Sequence, residues 1–456
     1  MDRQKLMDYL ENNKTQMIAD LCDFVRIPSV SDDSLHVREA LEFALELGRK
    51  MGFSAQSVLD GQVGIIEAGE GAETLGILSH VDVVSPGDLS VWKSPPFEPQ
   101  VRDGAVFGRG TLDDKGAIIA SLYAMKAVTE LGIPLKKKVQ MILGTQEEVE
   151  WTDMRAYVKN FPLPDYGFTP DGEFPLCNIE KGAMDLEMII PYADPQGEGV
   201  FLTAVDGGTA TNIVPGRAVA KLLKRTGKSD GTFDEVETTL AATGYAVHSC
   251  QPEKGDNAII KLCHELCEMD LAENSAARLA GILKERFTDV YCSGIGLYSE
   301  NEYLNGEYIH RNTMSVTRII TEPGQIRVNF NIRFSYGARE EDFVKAIEKL
   351  AAELGGKMGN ISSLPAVYIS KEKPFMKVFA RAYEEVSGLP NEFALAYGGS
   401  YAKAMENIVS WGPIFPGEED TCHEENEYIN IESLMLNAKI FAVAIGDIVL
   451  SEDSFK

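Results

Sequence analysis

The stretches LGILSHVDVV at 75–84, GAIIASLYAMKAVTEL at 116–131 and VQMILGTQEE at 139–148 decide the fold of this chain. The first and the third open with short apolar runs, which are typical of strands buried on both faces. The second has apolar residues at helical spacing and stops before Gly132, so it predicts a helix. A strand, a helix and a further strand in this order indicate an α/β domain with a mostly parallel sheet flanked by helices.

The sequence changes in texture along its length. Residues 1–50 predict two amphipathic helices ahead of the first strands. From 183 to 370 the pattern becomes one of alternating strands, from MDLEMIIPY to QIRVNFNIRF, and it includes TTLAATGYAVH at 238–248 as one strand. Two helices are predicted among these strands, near 256–270 and 340–354.

This pattern predicts a discontinuous α/β domain with a second domain inserted into it. The α/β domain would comprise residues 1–182 and 371–456, and the insertion at 183–370 would form an α+β domain. A chain of 456 residues agrees with about three domains, or with two of which one is enlarged.

The charge balance of the chain is strongly acidic. Lysine and arginine number 43 and aspartate and glutamate 70, so the formal net charge is −27. Such a surface repels phosphate backbones, which argues against a nucleic-acid partner. Most of the carboxylates must be solvated, so an aspartate or glutamate is taken as a surface residue unless its context says otherwise.

Cysteine usage and the N-terminus favour a cytoplasmic protein. The seven cysteines form no CxxC pair, and free thiols are typical of a reducing compartment. Cys263 and Cys267 share one face of a predicted helix, so buried packing is a better interpretation than a metal cluster with His264. The stretch MDRQKLMDYLENNK lacks the apolar segment of a signal peptide. No apolar run reaches the roughly 18 residues that a membrane span needs, so no membrane partner is expected.

Candidate ligands and acid–base groups follow two of the predicted strands. His80 and Asp82 come after the first, and ligands of open α/β sheets bind at the carboxyl ends of strands. A satisfied histidine beside a surface aspartate is the alternative. Glu147 and Glu148 follow another strand, and adjacent carboxylates repel each other unless a cation lies between them or one binds a proton. A solvated loop is the alternative for this pair.

Three further contexts add nitrogen and oxygen donors. Asp113 and Asp114 lie between a glycine-rich loop and a helix start, where they could cap the helix or hold a hard cation. Asp171 lies in a turn between two prolines and is unremarkable by itself. His423 lies in the acidic stretch GEEDTCHEENEYI, where carboxylates would raise its pKa unless a metal holds it neutral.

Together these residues predict an open, hydrolytic metal centre. Two metals that share one bridging carboxylate would each receive nitrogen and oxygen ligands and leave room for water. Sulfur is largely absent from the set, so zinc, manganese or cobalt would suit it. One glutamate of the pair Glu147 and Glu148 could ligate a metal while its neighbour acts as a general base.

The order and spacing of SHVDVV, GRGTLDDKG, GTQEE, TPDGEFP and EEDTCHEENEY resemble the dinuclear-metal peptidases of the carnosinase, aminoacylase and carboxypeptidase G type. Within that superfamily the chain is most similar to the bacterial dipeptidase PepV group, through stretches such as PDGEFPLCNIEKG and GGSYAKAMENIVSWGPIFPGEEDTCHEENEYI. The resemblance covers most of the chain. It implies a zinc-peptidase-like catalytic domain at 1–182 and 371–456, and a lid domain at 183–370.

The resemblance also implies a role for each motif residue of the catalytic domain. The implied ligands are His80 and Asp171 for one metal, Glu148 and His423 for the other, and Asp113 as the bridge. Glu147 would be the general base, which takes a proton from a metal-bridging water and then protonates the leaving amine. Asp82 would hydrogen-bond the far nitrogen of His80, and the peptide bond between Asp113 and Asp114 would be cis.

The lid domain would contribute substrate contacts. By the same resemblance, His248 in GYAVHSCQPEKGDNAI would stabilise the oxyanion, and Asn212 in TATNIVP would contact the substrate. Arg333 would bind the substrate carboxylate, together with the loop that contains Gly399 and Ser400. Without the resemblance, His248 would be taken as a buried polar contact and Arg333 as a surface strand residue.

These implications predict a metal-dependent dipeptidase for short peptides with a free C-terminal carboxylate. It would use two divalent ions, with zinc as the first expectation and manganese or cobalt as alternatives. An N-acyl amino acid deacylase or a carboxypeptidase on the same fold remains the alternative, because the sequence does not show whether a free amino terminus is recognised. A noncatalytic binding protein is disfavoured, since Glu147 and all five implied ligands are retained. The enlarged insertion resembles a lid that supplies its histidine in cis, which favours catalysis within one chain, as a monomer or a homodimer.

Overall fold

The computed structural model of the protein describes residues 1–228 and 232–456. Within these residues the helices are α1 (Arg3–Val25), α2 (Ser34–Lys50), α3 (Lys115–Thr129), α4 (Thr152–Asn160), α5 (Ala258–Cys267), α6 (Ser275–Arg286), α7 (Glu340–Glu353), α8 (Pro374–Ser387) and α9 (Ile431–Val449). The strands are β1 (Ser54–Val58), β2 (Val63–Ala68), β3 (Thr74–His80), β4 (Gln100–Arg102), β5 (Ala105–Phe107), β6 (Lys138–Gly144), β7 (Tyr166–Thr169), β8 (Cys177–Glu180), β9 (Gly182–Pro191), β10 (Gly199–Gly207), β11 (Arg217–Gly227), β12 (Phe233–Thr243), β13 (Tyr303–Leu304), β14 (Glu307–Tyr308), β15 (Thr313–Glu322), β16 (Gln325–Phe334), β17 (Lys357–Leu364), β18 (Val367–Tyr368), β19 (Ala394–Ala396), β20 (Ile408–Ser410) and β21 (Tyr428–Asn430).

The chain separates into two compact units. The first unit comprises Met1–Asn178, Tyr368–Ala396 and Ser400–Lys456. The second unit comprises Ile179–Val367 and Tyr397–Gly399.

The first unit is built on a sheet with the strand order β1-β2-β6-β3-β7-β20-β8-β18, in which β19 also pairs with β8. The central strands β6, β3, β7 and β20 run parallel to one another, whereas β1 and β2, β2 and β6, and β20 and β8 pair antiparallel. Helices α3 and α9 pack against each other, α1 packs on both, and α2 packs on β1 and β2. The predicted α/β architecture, with a mostly parallel central sheet flanked by helices, is therefore confirmed.

The apolar runs that predicted the sheet are its buried centre. In β3 every residue from Leu75 to His80 is buried, and β6 is buried from Val139 to Gly144. Gly144 ends β6 where a side chain could not fit, since a Cβ there would lie 2.2 Å from the hydroxyl of Tyr401. The carboxyl end of β6 is thus shaped by close packing against an aromatic side chain.

The second unit is an antiparallel sheet with helices packed on it. Its strand order is β12-β11-β10-β15-β16-β9-β17. Helices α5, α6 and α7 share one apolar core with this sheet, to which Leu262, Leu279, Ile347 and Phe330 contribute. Cys263 also lies in this core, which confirms the packing interpretation of that cysteine.

Most of the predicted elements are present, and the structure also contains elements that were not predicted. The two helices expected in residues 1–50 are α1 and α2, and the helix expected at 116–131 is α3. Within the insertion, helix α6 and strands β13, β14, β17 and β18 were not predicted. The strand expected at 238–248 is wrong beyond Thr243, where β12 ends.

The chain turns after Thr243 because Gly244 packs tightly against a neighbouring segment. The backbone N–H of Gly244 donates to the carbonyl of Gly216, and a Cβ at Gly244 would lie 1.8 Å from the carbonyl oxygen of Asp256. His248 therefore lies in a loop and not on a strand. No helix within residues 1–228 and 232–456 is both long enough and apolar enough to cross a bilayer.

Candidate metal centre

The candidate ligands of the first unit lie where its parallel strands end. His80 is the last residue of β3, and Glu147 and Glu148 lie in the turn that follows β6. Asp171 follows β7, which lies beside β3 in the sheet. Because the carboxyl ends of parallel strands meet at one edge of a sheet, these side chains converge. Asp113 joins them from the loop before α3.

Asp113 lies between the two histidines. Its Oδ1 is 3.0 Å from Nε2 of His80, and its Oδ2 is 3.0 Å from Nε2 of His423. Glu148 approaches the same Nε2 of His423, with oxygen distances of 3.0 and 3.1 Å. Asp171 is farther away, with its Oδ2 3.9 Å from Nε2 of His80. One carboxylate thus directs its two oxygens to two different imidazoles.

The donor atoms form two overlapping groups of a size that suits a metal ion. One group is His80, Asp113 and Glu148, and the other is His80, Glu147 and Asp171, each with its ligand atoms within 4.8 Å of one another. Within the described residues, the buried atoms His80 Nε2 and Asp113 Oδ1 make no hydrogen bond although they lie 3.0 Å apart. Divalent cations bind imidazole nitrogens and carboxylate oxygens that face one another in this way. The residues therefore fit such ions.

The electrostatics of the cluster also favour cations. Burial raises the pKa of Glu147 well above its usual range, and the carboxylate of Asp171 adds to this effect. Burial raises the pKa of Glu148 to about 7 and that of Asp171 to about 7, with Asp113 contributing to both. Divalent cations would relieve the repulsion among these carboxylates and hold them ionised.

The two imidazoles are held by the same carboxylates. Burial alone would lower the pKa of His80. The carboxylates of Asp113 and Asp82 outweigh this effect and raise the pKa well above its usual range. Burial opposes the shift in His423 too, but Asp113 and Glu148 raise its pKa. A bound cation would take over the role of these protons, so metal binding would release protons from the cluster.

Asp82 organises the centre through more contacts than the sequence predicted. Nδ1 of His80 lies 3.0 Å from the backbone oxygen of Asp82 and 3.4 Å from its carboxylate oxygen Oδ1. The fully buried carboxylate accepts the backbone N–H of Glu147 at 3.2 Å and that of Glu148 at 3.3 Å. The hydroxyl of Ser31 donates to its Oδ2 at 2.8 Å. Asp82 therefore joins the orientation of His80 to the position of the glutamate turn.

Other supporting residues of the glutamate turn were not predicted. The indole of Trp151 donates to the carbonyl of Glu147 at 2.6 Å. Asp153 accepts the backbone N–H of Thr145 at 2.6 Å and the hydroxyl of Tyr401 at 2.8 Å. Trp151 and Asp153 lie within a few residues of the GTQEE motif, so their closeness in sequence was the available signal. The peptide bond between Asp113 and Asp114 is cis, as predicted.

The second unit brings together three of the predicted substrate-binding residues. Asn212 and His248 are exposed and lie on neighbouring segments, since the carbonyl of Asn212 accepts the N–H of Ser249 at 2.8 Å. Ser249 in turn donates to Asn331 at 2.8 Å, and Asn331 accepts Nε of Arg333 at 3.1 Å.

Arg333 is buried at the end of β16, where burial lowers its pKa. Within the described chain, no carboxylate forms an ion pair with its guanidinium at 4.0 Å or less. A bound anion would therefore stabilise the buried positive charge of Arg333.

The two remaining predicted residues are neighbours in the chain but belong to different units. Gly399 is exposed and lies in the short segment of the second unit. Ser400 is buried in the first unit, where its hydroxyl accepts the backbone N–H of Ala402 at 3.3 Å.

Comparison with known proteins identifies the family. The pattern of the peptidase family M20/M25/M40 matches residues 76–447. The chain is 32% identical to the putative dipeptidase YtjP of Bacillus subtilis (strain 168), over 95% of this chain and 97% of that protein. Its fold is similar to that of human carnosine dipeptidase 1, with a TM-score of 0.64 at 16% identity, covering 98% and 99% of the two chains. The fold is also similar to that of the Bacillus subtilis YXEP protein, a dinuclear metal binding peptidase, with a TM-score of 0.55 at 14% identity over 96% and 99% of the chains.

The family match spans both flanks of the insertion and all five candidate ligands. The resemblance to dinuclear-metal peptidases that the motifs predicted is therefore confirmed, and the chain belongs to the peptidase family M20/M25/M40 as a metallopeptidase.

Proposed function

We propose that this metallopeptidase is a dipeptidase that hydrolyses short peptides with a free C-terminal carboxylate. The observation that carries the proposal is the carboxylate of Asp113, whose two oxygens each lie 3.0 Å from a different histidine nitrogen. That arrangement suits two metals sharing one bridge, and such a pair is typical of hydrolytic sites. The likeness to putative dipeptidases over nearly the whole chain supports the substrate class.

The proposed ligands are His80 and Asp171 for one metal, Glu148 and His423 for the other, and Asp113 between them. We propose zinc as the native metal, with manganese and cobalt as further candidates, because the donors are imidazole nitrogens and carboxylate oxygens. Two such ions would polarise the carbonyl of the scissile peptide bond and lower the pKa of a water between them.

Glu147 is the proposed general base. A carboxylate oxygen of Glu147 lies within 4.8 Å of ligand atoms of His80 and Asp171, and its backbone N–H donates to Asp82. As a carboxylate it would accept a proton from the attacking water while the new carbon–oxygen bond forms. It would then donate that proton to the leaving nitrogen as the carbon–nitrogen bond breaks.

The second unit is proposed to hold the substrate. The guanidinium of Arg333 is buried, and a bound anion would stabilise its charge. This supports a role in binding the C-terminal carboxylate. Gly399 and Ser400 would add backbone and hydroxyl donors to the same group. Asn212 would contact the substrate, and His248 would stabilise the oxyanion of the tetrahedral intermediate. The first unit is accordingly the proposed catalytic domain and the second the proposed lid.

The proposal is tested by metal reconstitution. The protein is stripped with a chelator, zinc, manganese or cobalt is added back singly, and hydrolysis of dipeptides is followed beside their N-acetylated forms. We expect metal-restored cleavage of the free dipeptides. Cleavage of the acylated forms alone would assign the chain to the deacylases. Two bound metals without hydrolysis of any of these compounds would contradict the proposed function.

A variant pair tests the general base. Glu147→Gln removes the proposed proton carrier, while Glu150→Gln alters an exposed glutamate of the same turn. Because general acid–base catalysis contributes about 10²- to 10⁴-fold, we expect that loss in kcat for Glu147→Gln, with metal content unchanged. Glu150→Gln should keep the wild-type rate. Full activity of Glu147→Gln would contradict the assigned mechanism.

A further inference from the structure

A buried ion pair that the proposed mechanism does not use lies beside the metal centre. Nη1 of Arg109 donates to Oε2 of Glu427 at 2.6 Å, and both side chains are almost completely buried, with 1% and 0% of their surface exposed. The guanidinium also lies over the ring of Trp92, 5.4 Å from its centroid. Two charges removed from water in this way need close partners, so the pair has a fixed geometry.

Glu427 holds the backbone of the loop that leads to the bridging carboxylate. Its Oε1 accepts the N–H of Leu112 at 2.8 Å and that of Asp113 at 3.2 Å. Its Oε2 accepts the N–H of Gly110 at 3.1 Å in addition to Arg109. Several donors of one loop thus converge on a single carboxylate, which sets the position from which the Asp113 side chain extends.

The other end of the ion pair holds the loop of His423. Nη2 of Arg109 donates to the carbonyl oxygen of His423 at 3.3 Å. The carbonyl of Glu427 accepts the N–H of Gly108 at 2.9 Å, and β21 then pairs antiparallel with β5. Arg109 and Glu427 therefore connect the backbone of the proposed bridge to the backbone of a ligand of one metal only.

The ligands proposed for the other metal are held differently. His80 belongs to β3, and its backbone N–H donates to the carboxylate of Asp114 at 3.2 Å. Asp171 follows β7, and its carbonyl accepts the hydroxyl of Ser410 at 3.4 Å. These contacts do not pass through the ion pair, so this metal position depends on the pair only through the shared ligand Asp113.

From this difference we infer that Glu427 is a positioning residue for the metal proposed at Glu148 and His423. The inference rests on the ligand set of the proposed function. Replacing Glu427 by an uncharged residue would loosen the loops of Asp113 and His423. It would also leave the buried charge of Arg109 uncompensated beside the cations. The metal at His80 and Asp171 shares only Asp113 with these loops, so its affinity would fall less than that of the metal at Glu148 and His423.

Titration of the stripped full-length protein with Co²⁺ tests the inference, by calorimetry and by the visible absorption of the bound ion. Wild type should bind two ions. In Glu427→Gln one of the two steps should lose about tenfold to a hundredfold in affinity, as is typical when a residue that orients a ligand is removed, while the other step loses a smaller factor. Glu73→Gln is the matched control, because Glu73 is also buried, accepts Tyr166 at 2.6 Å, and precedes β3 at the end opposite to His80.

Arg109→Lys keeps the positive charge but removes the guanidinium fork, so it decides the matter if Glu427→Gln does not fold by circular dichroism. It should also weaken one step selectively. Two unchanged affinities, or an equal loss in both steps, would overturn the inference while wild type still binds two ions and cleaves dipeptides. A wild-type protein that binds a single Co²⁺ would instead overturn the dinuclear ligand set of the proposed function.

Discussion

Replacement of Asp82 by asparagine tests whether this buried carboxylate positions the proposed general base. The carboxylate accepts the backbone N–H groups of Glu147 and Glu148 with different oxygens, at 3.2 and 3.3 Å. In Asp82→Asn one of these acceptors becomes an NH₂ group, which cannot accept a hydrogen bond and leaves a backbone donor facing another donor.

The size of the effect follows from these contacts. A hydrogen bond to a charged group contributes about 1.5–3 kcal/mol, and a buried donor left without an acceptor costs about 1–3 kcal/mol. A combined effect of about 3 kcal/mol on the active arrangement of the turn corresponds to roughly 100-fold in kcat/KM, at 1.36 kcal/mol for each factor of ten. We therefore expect Asp82→Asn to lower kcat/KM for a dipeptide by about two orders of magnitude.

The assay is steady-state hydrolysis of a dipeptide at saturating metal, with metal content measured on the same samples. Asp88→Asn is the control, since Asp88 is an exposed aspartate that also accepts a backbone N–H. It should stay within twofold of wild type. If Asp82→Asn binds two metals and keeps kcat/KM within threefold of wild type, the positioning role of Asp82 is refuted.

Three further predictions concern both units. Arg333→Lys should lower kcat/KM for a free dipeptide by about tenfold or more but leave kcat/KM for a C-terminally amidated dipeptide nearly unchanged. Arg327→Lys on the same strand is the control and should change neither value. Equal losses for both substrates in Arg333→Lys would contradict the carboxylate role. Burial lowers the pKa of Lys181 from 10.5 to about 7, so the native state binds fewer protons than the unfolded state between these values, and stability rises with pH there. The unfolding temperature of wild type should therefore rise relative to Lys181→Met between pH 7 and pH 9, and a constant difference would contradict this. Tyr401→Phe removes the 2.8 Å hydrogen bond to Asp153, and it should reduce the free energy of unfolding in denaturant titrations by about 1 kcal/mol with kcat/KM within threefold of wild type.

The parts of the fold that could be predicted are those whose side chains carry a local pattern. Strands β3 and β6 are buried on both faces and are apolar over most of their length, and α3 has buried residues on all sides. Strand β12 shows the opposite case. Most of its side chains are exposed, and it is held by backbone pairing with β11, so no apolar pattern marks its bounds, and the predicted strand starts and ends five residues too late. Its end at Thr243 depends on the close approach of Gly244 to another segment.

The sequence by itself predicted the residues that are proposed to carry the chemistry. Histidines and acidic residues at strand ends, in an order that resembles a known superfamily, were enough to predict the ligand set and the general base. Only the tertiary structure shows the contacts that position these residues beside one another. Arg109 and Glu427 are 318 positions apart, and Asp82 accepts N–H groups about 65 positions away. No local spacing or periodicity in the sequence indicates such partners, because they come into contact only when the chain has folded.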